Sequence, residues 1–223
     1  MNLPANELVA LLVAISFAAG PNVYATLATL GLLGRAGLLS LPSMLHFLSN
    51  RWIIAASGMM FVTEFFAEKI PAFDLIWNAL HTFVRVPLAA LLAYVATSRL
   101  FPEKQLLARA LGGAIALGAH GGKTAVRTAV TPSPEPFSNI TLSLWEDAVA
   151  IGLTWFATQH PYWAAGIAGV FLVTTIVLVR RVARALRALF RGAEQRWSVD
   201  SWGQPACIRT KRIAFHGVRQ PGV

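Results

Sequence analysis

Residues 118–139 read GAHGGKTAVRTAVTPSPEPFSN and lie between apolar segments. They hold a His, a Lys, an Arg, a Glu, three Gly and three Pro. Hydrocarbon tolerates ionisable groups and non-helical backbone only where protein or a water-filled cavity surrounds them. This stretch therefore constrains the chain more than any other, and it is the first candidate for a functional site.

The apolar flanks decide the fold class. Hydrophobic residues make up 56% of the 223 and charged ones only 13%, against about 25% in a soluble domain. Nine Lys/Arg and eight Asp/Glu fall in residues 1–179, while residues 180–223 hold ten and two. The net charge of +9 is thus a property of the tail. A basic tail after an apolar segment faces cytoplasm and anionic lipid, so nucleic acid is not expected as a partner. Membrane lipid is. The N-terminal run lacks the positive region of a signal peptide, its first charge being Glu7, and reads as a retained membrane segment.

Residues 7–20 and 23–33 are short apolar runs separated at Gly20-Pro21, with Asn22 and Tyr24 at the break. They form either one kinked span or a re-entrant hairpin, since a crossing needs about 20 residues. Residues 34–50 read as a loop and 52–66 as the next apolar segment. Glu64 and Glu68, four apart, share a helix face. In residues 73–85 Asp74, Asn78, His81 and Arg85 form a polar stripe opposite Phe73, Ile76, Trp77, Leu80 and Phe83, a helical period. Residues 86–101 form a further apolar segment. Residues 106–119 are a second short run, broken at His120-Gly121-Gly122. Ser143 and Glu146 give a capping-box start to the helix that follows. Residues 162–179 are the clearest span.

The expected architecture is all-α: a polytopic membrane bundle of four to six spans with two broken or re-entrant segments, occupying residues 1–190. A basic, disordered tail follows at 191–223. Residues 7–101 and 106–186 read as two repeats or as a chance echo. The Lys/Arg distribution favours four spans and puts both termini in the cytoplasm under either count.

Lys123 and Arg127 share a helix face and, with His120, Asn22, Tyr24 and Asn139, can bind a small anionic solute or an anionic lipid headgroup. Alternatively they pair with the embedded carboxylates Glu64, Glu68, Glu146 and Asp147, which burial itself demands. Those carboxylates are also candidates for proton or ion coupling. The expected function is transporter-like or channel-like. A non-transporting scaffold, which like a transporter can be a homo-oligomer, and a membrane enzyme using His120 or Glu64 as base are the alternatives. No enzyme activity and no cofactor are expected. GAHGGKT lacks the first glycine of a phosphate loop, Leu117 standing there. No zinc-type His pair, GxSxG or CxxC occurs, so no metal site is expected.

Three stretches, AGPNVYATLATLGLLGR (19–35), EFFAEKIPAFDLIWNALHTFVR (64–85) and GAHGGKTAVRTAVTPSPEPFSNITLSLWED (118–147), resemble a bacterial multi-pass membrane-protein family of unknown function, DUF4126. The resemblance covers about residues 8–185. Glu68 stands where the family has Asp, and Val86-Pro87 where it has a Pro pair. The resemblance implies an inner-membrane protein and carries no activity over to this chain.

Overall fold

The computed structural model describes residues 4–39, 41, 43–130 and 136–201. They form seven α-helices: α1 (Ala5–Ala19), α2 (Val23–Arg35), α3 (Arg51–Ala67), α4 (Pro71–Ala96), α5 (Pro102–Val130), α6 (Pro136–Gln159) and α7 (Pro161–Ser201). A 3-10 helix, Ser43–Ser49, lies within the expected 34–50 loop. No strand occurs among the described residues, as an all-α fold requires. Four of the helices open on proline. The missing N–H is harmless there, because first-turn donors have no intrahelical partner.

The break at Gly20-Pro21 is present. α1 ends at Ala19, and Asn22 takes an extended conformation and caps α2, its Oδ1 accepting from Ala25 N at 2.9 Å. The expected break at His120-Gly121-Gly122 is not: α5 passes through it without interruption. Glycine lowers helix stability by about 1 kcal/mol relative to Ala but keeps its donor. At Gly118 and Gly122 it permits close approach instead. An added Cβ at Gly122 would lie 2.0 Å from Thr175 Cγ2, and one at Gly118 would lie 2.8 Å from Leu172 Cδ1. This is the small-xxx-small packing common between membrane helices.

Other boundaries also differ from expectation. α4 joins the amphipathic 73–85 helix to the apolar segment after it, with Pro87 inside. α6 begins at Pro136, so Ser143 lies within the helix and its expected capping role is withdrawn. α7 extends to Ser201, so residues 191–201 are helical rather than irregular. Residues 202–223, and the side chains of Asp74, Glu135 and Asn139, lie outside the described residues.

The chain divides into two compact units, Met1–Arg180 and Arg181–Val223. In the first, α1 packs against α4, α5 and α6 through small residues, with Ala14, Ala18 and Ala19 fully buried. In the second, the described part is the basic portion of α7. Among the described residues, two stretches are long and apolar enough to cross a membrane, Ile76–Ala96 and Pro161–Arg181. α1, at 15 residues, reaches only about 23 Å.

The first unit is apolar outside and charged within. Trp52, Met59, Phe66, Ile76, Leu80 and Phe83 are exposed, while Glu64, Glu68, Arg85 and Arg127 are fully buried. A water-soluble fold reverses this distribution.

Candidate functional site: a buried ionic cluster

Helical spacing builds the site from four faces. α3 and the residue after it present Glu64 and Glu68. α4 presents Asn78, His81, Thr82 and Arg85, α5 His120, Lys123 and Arg127, and α6 Ser143, Glu146 and Asp147. Each set recurs every three or four residues, so its members project from one side of their helix. The α1–α2 break adds Asn22 and the Pro21 carbonyl.

Arg85 is the nearest cation to Glu64: its Nη2 donates to Glu64 Oε1 and stands 3.8 Å from Glu68 Oε1. Its Nη1 donates to Asn78 Oδ1 at 3.0 Å and to His120 Nδ1 at 2.8 Å. A guanidinium can only donate, so His120 Nδ1 carries the lone pair. The His120 proton is therefore on Nε2, which reaches Thr82 Oγ1 at 2.7 Å and the Asn78 carbonyl at 3.2 Å. His120 thus links Arg85 on α4 to Thr82 and the Asn78 carbonyl one turn away.

Lys123 donates to Glu68 Oε1 and to the Pro21 carbonyl at 2.8 Å, with Glu146 Oε2 at 3.2 Å and Glu64 Oε1 at 3.7 Å. Of the two cations expected to pair with Glu64, Lys123 and Arg127, Lys123 stands within ion-pair distance, and Arg85 is the closer partner. Arg127 grips Glu146 through Nε (3.2 Å) and Nη2 (2.5 Å), and Nη2 also reaches Glu68 Oε2 at 2.9 Å. Ser143 Oγ donates to the same Glu68 oxygen at 2.8 Å. Asn22 Nδ2 donates to Asp147 Oδ1 at 2.9 Å.

Most of the sequence-selected residues converge here. His81 and Tyr24 stand beside the ion pairs rather than in them. His81 bonds the Trp77 carbonyl at 2.9 Å, stacks on Trp77 at 4.1 Å and meets the edge of Tyr24 at 5.8 Å. The polar stripe of α4 does turn inward, with Asn78, His81 and Arg85 buried and Phe73, Ile76, Leu80 and Phe83 exposed. Ser143, Thr82 and the Pro21 carbonyl escaped the sequence reading as site members. Ser143 was detectable, since it lies three residues before Glu146 on the same face.

An Arg or Lys at a bilayer centre costs about 2.5–3.5 kcal/mol even on the mild insertion scale. Here that charge is met by carboxylates from both halves of the chain. The three ammonium hydrogens of Lys123 face three acceptors (Glu68, Glu146 and the Pro21 carbonyl), so an incoming anion has to displace a carboxylate.

The family profile described as domain of unknown function (DUF4126) matches residues 9–181. No curated protein and no solved structure matches the chain. The matched span runs from early α1 into α7 and includes every side chain of the ionic cluster; the chain belongs to the DUF4126 family.

Proposed function

We propose that this is a polytopic, transporter-like or channel-like protein of the bacterial inner membrane, and that the ionic cluster is its embedded site for a small anionic solute or an anionic lipid headgroup. The observation that carries the reading is a set of seven buried ionisable side chains inside an apolar-surfaced helical unit. Buried ion pairs add little stability over an apolar core of equal volume. Ionisable groups at membrane depth are the ordinary mark of a substrate or ion pathway. In this arrangement carboxylates occupy the cations, which is what an occluded, unloaded site requires. The test is flux of a panel of anionic solutes in proteoliposomes. Lys123→Ala should abolish the flux, and absence of any flux in the parent protein sinks the reading.

A bundle of four to six spans with cytoplasmic termini fits the exposed apolar faces of α3, α4 and α6 together with the Lys/Arg placement. Cys207, the one cysteine, gives a direct check: it should react with an impermeant thiol reagent in inside-out vesicles and not in intact cells. A scaffold without transport is the second reading. The complete engagement of Lys123 favours it, and it predicts that Lys123→Ala changes stability and no flux.

A further inference from the structure

Three cations meet four carboxylates in the buried cluster: Arg85, Lys123 and Arg127 against Glu64, Glu68, Glu146 and Asp147. Arg85 holds Glu64, Lys123 and Arg127 hold Glu68, and both of these also hold Glu146. Asp147 is left out. It is 5% exposed, its Oδ1 accepts from the neutral Asn22 amide, and its Oδ2 has no hydrogen-bond partner. It makes no ion pair among the described residues. The charged groups acting on it are Glu68 and Lys69 at the end of α3, Lys123 on α5 and its neighbour Glu146. Two of these are negative. Lys123 is committed elsewhere, and Lys69 Nζ turns to the Phe65 carbonyl at 3.1 Å and over the Phe65 ring.

A carboxylate in that position is desolvated, uncompensated by a cation and repelled by its neighbours. A carboxylic acid is neutral there, keeps the Asn22 bond on Oδ1, and carries its proton on the otherwise bare Oδ2. We propose that Asp147 is a proton-binding site, occupied in this closed arrangement, and that its proton brings the four carboxylates into balance with the three cations. Loss of the proton creates a demand for a cation at Asp147. Lys69, on the α3–α4 connection, makes no ion pair with a carboxylate among the described residues and can supply it by leaving Phe65. Asn22 ties the site to the helix break, because the side chain that touches Asp147 also caps α2. The inference does not depend on any solute being transported.

Infrared spectroscopy of the purified full-length chain in detergent tests it, in light and heavy water across the neutral pH range. A carboxylic-acid C=O band that shifts in heavy water should be present at neutral pH. It should shift again when the protein is made with isotopically carboxyl-labelled aspartate, and it should vanish in Asp147→Asn. Because Asn is the neutral isostere, that variant should unfold at the parent's temperature at neutral pH. Absence of an acid band in the folded parent overturns the proposal. So does a band that ignores aspartate labelling and disappears in Glu64→Gln, which would assign the proton to Glu64. Labelling works on the parent chain, so the outcome does not hang on a variant folding.

Discussion

Two glycine-marked sites look alike in this sequence, and only one of them ends a helix. At 20–22, Pro21 has no donor, and Asn22 is extended and caps the next helix with its own side chain. At 120–122 there is glycine without proline, and α5 runs on. The two sites touch. An added Cβ on Gly20 would lie 2.5 Å from Ala119 Cβ, and Lys123 bonds the Pro21 carbonyl at 2.8 Å. Breaking one helix frees a backbone acceptor that burial cannot leave bare, and the intact helix delivers the lysine that satisfies it. Glycine here marks close approach; loss of a donor together with a cap marks an end.

The largest expected effect strikes the carboxylate at the end of α3 that meets both α5 and α6. Glu68 accepts from Lys123, Arg127 and Ser143, so Glu68→Gln takes one of two carboxylate partners from two buried cations at once. Breaking a buried pair costs about 3–5 kcal/mol, which for a chain of this size lowers the unfolding temperature by on the order of 10 °C. Glu64→Gln should cost less, because its close contact is with Arg85 alone and Lys123 stands off at 3.7 Å. Glu103→Gln, exposed in the first turn of α5, should cost only about 0.3–1 kcal/mol, the worth of a carboxylate near a helix N-terminus. Equal shifts for all three in detergent would show that the cluster does not hold the helices together.

Next come the glycines that let helices meet. Gly122→Ala drives a methyl into Thr175 and Gly20→Ala drives one into Ala119 and the Ala116 carbonyl. Overpacking of this kind costs about 1–3 kcal/mol. Both variants should unfold earlier in the same thermal assay, and Gly122→Ala should recover when combined with Thr175→Ser, which removes the Cγ2 it meets. Failure of that rescue would place α7 away from α5. Asn22→Ala removes a cap, a change of about 0.5–2 kcal/mol, together with the Asp147 bond. Asn22→Asp keeps the cap acceptor but sets a second buried carboxyl against Asp147, so it should lose stability although the cap is retained.

Much of this was legible in the sequence. Apolar runs with sparse charge mark the helices, and three- or four-residue spacing marks the inward faces of α3 and α4 and the shared face of Lys123 and Arg127 on α5. What escaped depends on neighbours. The Gly121-Gly122 pair lacks any mark separating a break from a contact, because the answer is Thr175, some fifty positions later. The capping-box pattern at Ser143 and Glu146 is also the pattern of two residues on one helix face, and Glu68 claims the serine. Arg85 was placed in a stripe by its period, while its pairing with Glu64 follows from how α3 and α4 fold back on each other at Pro71.

The smallest effect separates the two glycine sites most sharply. Gly121 is exposed on α5, and nothing lies within 4 Å of an added Cβ. Its neighbour Gly122 is buried against Thr175. Among the described glycines only Gly37 has a positive φ, so Gly121 adopts a conformation that alanine shares. Replacing an exposed helical glycine by alanine removes unfolded-state freedom and adds about 0.5–1 kcal/mol of stability. Gly121→Ala should therefore raise the unfolding temperature by about 2–3 °C, while Gly122→Ala, one residue on, lowers it. A helix end at 120–122 predicts the reverse for Gly121, because a break needs glycine's backbone freedom and alanine would strain it. Opposite signs at adjacent glycines are expected only of a continuous helix with one face packed, and destabilisation by both would return the break to α5.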